Sequence, residues 1–396
     1  MAIASVEESA LAERLRNFRR HLHQHPELSL EEVQTTASIV EFLKDSGIEV
    51  LSSNLPTGTF ALVRGKRPGP CVAIRTDIDA LPIVEQTGLP YASTIEGKMH
   101  ACGHDFHTAS VLGAAWLAQQ WADSEESFAG SILFVFQPAE EVGAGAKQVV
   151  ASGVLQEQGV RCIFGEHNNP LLERGYIGVK SGPLMGSVDD FRIVVRGTGG
   201  HAAIPQTSVD PILVAAHLVT GLQSLVSRNV SPLHSAVVTV GQLHAGTARN
   251  IIPEEAVLEG TVRTLQPENR DLLEERLKTL AFSTAAAFGA SAEVDYERQL
   301  PVTESDEAMA AIVREAAQHV VGVDAVVEAM PTLGGEDFSI YAEHLPSCFF
   351  WVGTGKPDGS SRGWHHPQFD VDEAQMLVAS KIFVEAARRA LVHFSK

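Results

Sequence analysis

Along the first 185 residues, segments of helical period alternate with short apolar runs that end abruptly in polar residues. Three of these runs matter most: CVAIRTDIDAL (71–81), SILFVFQPAEE (131–141) and VRCIFGEHNNP (160–170). An apolar run rich in Val, Ile and Phe and bounded by turn formers predicts a buried strand. Alternation of such strands with helices predicts a doubly wound, mostly parallel α/β sheet. Open sheets of this kind bind ligands at the carboxyl ends of their strands, so the three polar ends point to one candidate site.

From about 187 to 298 the pattern changes. FRIVVRG, DPILVAAHLVTGLQSLVSR, AVVTVGQL, AVLEGTVRTL, ENRDLLEERLKTLAFSTAAAFG and AEVDYER read as strand, helix, strand, strand, helix, strand. That βαββαβ order is a complete ferredoxin-like unit. It predicts an inserted domain at 187–298 that splits a first domain into 1–186 and 299–396. The second part holds a helix (DEAMAAIVREAAQHVVG), a Gly-rich turn (TLGGEDFS), an apolar run (CFFWVGTG) and a terminal helix from about 372.

Length agrees with this division, because 396 residues suit two domains of roughly 100–200 residues each. An apolar content of 44% with 20% charged residues is ordinary for a folded enzyme and excludes disordered, collagenous and coiled-coil classes. The 30 Lys and Arg against 49 Asp and Glu leave a net charge of −19. That field repels phosphate backbones and anionic lipid, so neither nucleic acid nor a membrane surface is an expected partner. The N-terminus shows no leader pattern and no apolar run approaches the ~20 residues of a membrane span. Four dispersed cysteines, Cys71, Cys102, Cys162 and Cys348, form no disulfide framework, and the expected location is cytoplasmic.

What is unusual is the placing of the 16 His. HACGHDFH sets Cys102 and His104 two residues apart before a helical pattern, and thiolate and imidazole are strong ligands for zinc and related ions. QPAEEVGAG ends a strand with Glu140 and Glu141; one carboxylate of such a pair can bind metal while its neighbour serves as a base. His167 closes the third strand, and WHHPQF supplies His365 and His366. Asp77 and Asp79 end the first strand, where an Asp orients a metal ligand or the base. A competing reading makes Cys102 a nucleophile with His104 or His107 as its base, but it leaves the glutamate pair, His167 and His365 without roles.

Eight motifs carry a family resemblance: RRHLHQHPELSLEE, RTDIDALPI, HACGHDFHTA, FQPAEEVGAGA, GGHAAIPQ, ARNIIPEEAVLEGTVR, GGEDFS and HHPQFDVDE. In this order, over nearly the whole chain, they resemble the aminoacylase and carboxypeptidase superfamily of metallohydrolases, nearest the hippurate hydrolases and auxin–amino-acid conjugate hydrolases. The resemblance implies a metallopeptidase-like catalytic domain and a ferredoxin-like domain serving as lid and dimerisation surface. It implies two divalent metal ions (Zn, Mn, Co or Ni) held by Cys102, His104, Glu141, His167 and one His of the C-terminal pair, His365 matching better than His366. It makes Glu140 the general base and Asp79 the carboxylate that orients the metal site. His201 is then expected to stabilise a substrate oxygen in the neighbouring subunit, and Asn250 with Arg263 to bind the substrate's carboxylate. The implied activity is hydrolysis of N-acyl amino acids of the hippurate or indoleacetyl type by a homodimer or dimer-based oligomer. Deacetylation of N-acetyl amino acids or diaminopimelate, or dipeptidase or carboxypeptidase action, is the alternative on the same site. Relatives often carry His after the Pro of GGHAAIP, whereas Gln206 follows Pro205 here, a difference that bears on substrate preference.

Overall fold

Strands that carry apolar residues on both faces need cover on both, and the observed architecture supplies it. A computed structural model describes residues 2–395. The chain divides into two units: residues 1–182, 304–330 and 337–396 form the first, and residues 183–303 with 331–336 the second.

The first unit is built on an eight-stranded sheet whose order is Glu49–Leu51, Thr59–Arg64, Ala129–Gln137, Arg67–Asp77, Val160–Glu173, Ser347–Gly355, Ile177–Val179, Val326–Glu328. Its central four strands are parallel, as the alternation of strand and helix predicts. The sheet is mixed rather than purely parallel: Glu49–Leu51 and Thr59–Arg64 enter antiparallel at one side, and Ile177–Val179 runs antiparallel to Ser347–Gly355 at the other. Glu49–Leu51 and Thr59–Arg64 are joined by a short connection, since an antiparallel neighbour needs no crossover helix. Along Ala129–Gln137 the pleat sends Ile132, Phe134 and Phe136 into one core, which they share with helices Val33–Asp45, His104–Asp123, Glu307–Val321 and Gln375–Phe394. Leu133 and Val135 are equally buried but belong to the opposite face. Helix His104–Asp123 is buried almost all round at its start, from His104 through Ala115. Arg67–Asp77 and Ala129–Gln137 end together, with Asp77 opposite Gln137, whereas Val160–Glu173 and Ser347–Gly355 run on past that level, so His167, expected to close its strand, lies within it opposite Trp351.

In the second unit a four-stranded antiparallel sheet has the order Ala236–Ala245, Glu255–Thr264, Val188–Arg196, Ser291–Leu300. Helices Pro211–Asn229 and Pro267–Ala287 pack on one face, which is the ferredoxin-like arrangement. Each helix starts on proline, whose fixed φ suits the first helical turn, and Asp210 caps one of them through Ile212 N–H at 2.9 Å. Phe191, Ile193, Val195, Leu218, Leu222, Leu273 and Leu277 belong to this unit's own core.

Candidate metal centre

Two strand ends, the middle of a third strand and two loops of the first unit deliver the donors. After Asp77 the chain leaves the sheet and Asp79 follows, both carboxylates fully buried. Gly103 caps helix His104–Asp123 with φ +92°, and a Cβ there would meet Asn168 Nδ2 at 2.3 Å. Only glycine lets the helix start this close to the third strand. Strand Ala129–Gln137 ends in a turn through Ala139, which sets Glu140 and Glu141 beside the helix start. His365 lies in the loop before the terminal helix, its N–H donating to Ala101 O at 2.8 Å.

The hydrogen bonds assign each imidazole a direction. His104 Nδ1 faces Asp79 Oδ1 at 3.1 Å. Its Nε2 is buried without a hydrogen-bond partner, 3.7 Å from Glu141 Oε1, which is equally unpartnered, and 3.9 Å from Glu140 Oε2. His167 Nδ1 donates to Asn168 O at 2.7 Å, which turns its Nε2 toward Cys102 Sγ at 3.4 Å. His365 Nε2 stands 3.6 Å from Glu141 Oε2, whereas His366 Nδ1 accepts from Gln368 N–H. Donor atoms of Cys102, His104 and His167 lie within 4.8 Å of one another, as do those of Cys102, Glu141 and His365, and those of His104, Glu140 and Glu141.

The electrostatics say what these donors lack. Burial pushes the Glu141 carboxyl up to about 7, against the pull of His104 and with the push of Asp79 and Asp77. Burial and the Glu141 charge hold the Cys102 thiol well above its ordinary range. His104 is held well above the imidazole range, because Asp77 and Asp79 outweigh its burial. His167 is pushed well below that range by burial and by His107. Crowding of acids, a thiol and imidazoles in one small buried volume shifts each of them this way, and a bound cation relieves the crowding by displacing their protons. A thiolate, imidazoles and carboxylates together suit a borderline divalent ion. The residues fit a metal site.

Predicted residues of the second unit stand apart in sequence and in kind. His201 and Asn250 are exposed and brought side by side, because Gly200–His201 pairs with Ile251–Ile252 and Asn250 O accepts from Ala202 N–H at 3.1 Å. Arg263 is half-buried on strand Glu255–Thr264, where it donates to the Thr261 hydroxyl and to Val262 O at 3.2 Å.

Several supporting residues, Asn168 and Ser29 among them, carried no assigned role in the sequence, and His107 was weighed only as a base for Cys102. His107 Nδ1 donates to Asp77 Oδ1 at 2.8 Å and its Nε2 accepts from Asn168 N–H at 2.9 Å, so it ties strand Val160–Glu173, beside His167, to the end of strand Arg67–Asp77. Ser29 donates to Asp79 Oδ2 at 2.6 Å, and that oxygen also accepts Glu141 N–H at 3.0 Å. Asp79 thereby links one imidazole and one carboxylate of the donor cluster. Motif HPELS, read only as part of a resemblance, was the available signal for Ser29.

Comparison with known proteins agrees with this centre. The model of peptidase family M20/M25/M40 matches residues 73–389. An N-acetylcysteine deacetylase of Bacillus subtilis is 48% identical over 96% of this chain and 97% of its own. IAA-amino acid hydrolase ILR1-like 5 of Arabidopsis thaliana is 36% identical over 96% of this chain and 87% of its own. Among solved structures, a dinuclear metal binding peptidase from the M20 family of B. subtilis superposes with a TM-score of 0.86 at 44% identity, covering 97% of this chain and 99% of that one. A sheet that ends in buried acids, imidazoles and a thiol, and a sequence matched over most of its length, lead to one assignment: this chain belongs to peptidase family M20/M25/M40, a family of metal-dependent hydrolases that act on amides.

Proposed function

We propose that the protein hydrolyses the amide bond of N-acyl amino acids, releasing a carboxylic acid and a free amino acid. The observation that carries this reading is the setting of Glu140. Its Oε1 is met by Asp337 N–H at 3.4 Å, and its Oε2 faces His104 across 3.9 Å, beside the donor cluster but one residue away from Glu141. Such a carboxylate is held in place to take a proton without being spent as a ligand.

Cys102, His104, Glu141, His167 and His365 would hold two divalent ions of the Zn, Mn, Co or Ni class. When bound, such ions polarise a carbonyl and lower the pKa of a coordinated water toward ~7. Glu140 takes the proton of the attacking water and returns it to the leaving amine. Asp79 keeps Nε2 of His104 toward the cluster by accepting from Nδ1, and holds the Glu141 backbone. For His201 the proposed part is stabilisation of the substrate oxygen in a partner subunit of a homodimer; for Asn250 and Arg263 it is charge-assisted hydrogen bonding to the amino acid's carboxylate. A cytoplasmic location completes the proposal.

Two relatives support the leaving group in common: an N-acetylcysteine deacetylase and an IAA-amino acid hydrolase both carry names of N-acyl amino acids. The deacetylase is the nearer of the two, so acetyl takes first place ahead of the benzoyl and indoleacetyl groups that the family resemblance suggests. A thiol nucleophile is disfavoured, since Cys102 Sγ is buried within the donor cluster, 3.4 Å from His167 Nε2 and grouped with Glu141 and His365, where it serves as a ligand. The test is a panel of N-acetyl, N-benzoyl and N-indoleacetyl amino acids on chelator-stripped protein with each metal restored. Release of amino acid that depends on metal and is fastest for N-acetyl substrates is expected. No metal-dependent release from any member sinks the proposal, and activity indifferent to chelator returns it to Cys102.

A further inference from the structure

Among the described residues, three that are not glycine have left-handed backbone: Leu30 (φ +69°), Ala139 (φ +53°) and His365 (φ +62°). Such residues cost on the order of 1–3 kcal/mol each and persist only where their surroundings over-determine them. All three fall in the segments that surround the donor cluster. Ala139 directly precedes Glu140, so its ψ sets the direction in which the Glu140 backbone leaves the strand.

What over-determines Ala139 is a buried carboxylate 107 residues away. Glu32 is fully buried; its Oε1 accepts Ala139 N–H at 2.8 Å and its Oε2 accepts the Thr57 hydroxyl at 2.6 Å. On the other side, Ala139 O accepts the N–H groups of Ala144 and Gly145 at 3.2 and 3.1 Å. The peptide before Ala139 is therefore pinned by Glu32 and the peptide after it by the following turn. Three residues before Glu32, Ser29 holds Asp79, which in turn accepts Glu141 N–H. Glu27 O accepts Ala80 N–H at 2.8 Å, and Leu28 bridges to Ala80 in parallel register, which docks the segment against the end of the first strand. Leu30 turns between Ser29 and Glu32, so that one short segment reaches both Ala139 and Asp79.

We propose that Glu32 is a positioning residue for Glu140, acting through the left-handed Ala139. This rests on the reading of Glu140 as the proton carrier and goes beyond it by assigning what aims that carboxylate. The chemistry at Glu32 needs an acceptor for one N–H and a partner for one hydroxyl, not a charge. Glutamine supplies both, its carbonyl accepting from Ala139 and its amide donating to Thr57 Oγ1, whereas alanine supplies neither.

Glu32→Ala, Glu32→Gln and Glu140→Gln are compared by steady-state kinetics, metal content, the absorption spectrum of the Co(II)-loaded protein, and amide exchange of residues 139–145 in chelator-treated protein. A misaimed catalytic group costs about tenfold to a hundredfold, so Glu32→Ala is expected to lose that much kcat with KM within about twofold. Its metal content and Co(II) spectrum stay those of the wild type, amide exchange in the 139–145 turn quickens, and Glu32→Gln stays within about threefold of wild-type kcat. Wild-type kcat in Glu32→Ala overturns the inference. So does a loss accompanied by missing metal that Glu32→Gln fails to recover, which marks a merely structural residue. Should Glu32→Ala not fold, Glu32→Asp serves, because its shorter side chain withdraws the acceptor from Ala139 N–H: kcat is expected to fall severalfold with KM kept, and an unchanged kcat overturns the proposal. Turnover near wild type in Glu140→Gln would overturn the underlying reading instead, whereas a dead Glu140→Gln beside a fully active Glu32→Ala overturns only the role of Glu32.

Discussion

Glu140 and Glu141 are neighbours of one residue type, and their surroundings separate them. Glu141 lies between His104 Nε2 and His365 Nε2, while Glu140 is met by a backbone N–H on one oxygen. Removing the charge of Glu140 while keeping its shape leaves the donors of the cluster intact. Glu140→Gln is expected to bind metal as the wild type does and to lose about 10²–10⁴ in kcat, the usual share of general acid–base catalysis. Metal content by mass spectrometry and kcat on an N-acetyl amino acid check it; a variant that turns over at near wild-type rate removes Glu140 from the role of base. At this scale the sequence was informative where donors sit close along the chain, as Cys102 with His104 and Glu140 with Glu141 do. It was silent on Asn168 and Glu32, whose partners lie 61 and 107 residues away.

Elements are tied together by a buried charge cluster behind the centre. Arg19, on helix Ala2–Gln24, is fully buried with Nε 2.7 Å from Asp105 and Nη1 3.2 Å from Glu373. His23 Nδ1 adds a contact of 2.8 Å to the same Asp105 oxygen. This joins the N-terminal helix to the start of helix His104–Asp123 and to the loop before the terminal helix. Burial opposes the charge of Asp105, but Arg19 and His23 hold its carboxyl far below the usual carboxylate range. A depressed carboxylate contributes stability that is complete above its unfolded value of ~4 and is lost as pH falls further. Arg19→Met leaves Asp105 without its guanidinium and is expected to destabilise the fold by about 3–5 kcal/mol at pH 7. The gap to wild type narrows below pH ~4, where Asp105 protonates in the unfolded chain. Urea unfolding at pH 7 and at pH ~3.5 measures both; an equal gap at the two pH values contradicts the linkage.

Across the molecule, two units have separate cores, and the candidate metal ligands Cys102, His104, Glu141, His167 and His365 all lie in the first. The first buries Asp77, Asp79 and Glu140 together with the largely buried Glu141, while Arg75 pairs with Asp77 and Asp337 at 2.9 and 2.7 Å. A cation bound only by the folded state stabilises it by ~2.7 kcal/mol at a hundredfold excess over Kd. Chelator is therefore expected to lower the melting transition of the first unit by at least about 5 °C and to leave the βαββαβ unit's transition in place. Calorimetry with and without chelator, followed by metal add-back, reads both transitions; a first-unit transition indifferent to chelator contradicts the metal centre. No helix among the described residues is long and apolar enough to cross a membrane, and the four cysteines are free and buried.

Periodicity and local donor spacing sufficed for the α/β class, for the ferredoxin-like unit and for the residues around Cys102, Glu140 and His167, because those signals are written within a few consecutive residues. Mixed strand directions at the sheet's flanks, the tautomers of His104, His107 and His167, and the grip of Glu32 on Ala139 were decided only by the tertiary structure. Each depends on groups that come together after the sheet has formed, and a hydrogen bond between residues 107 positions apart leaves no period in the chain that makes it.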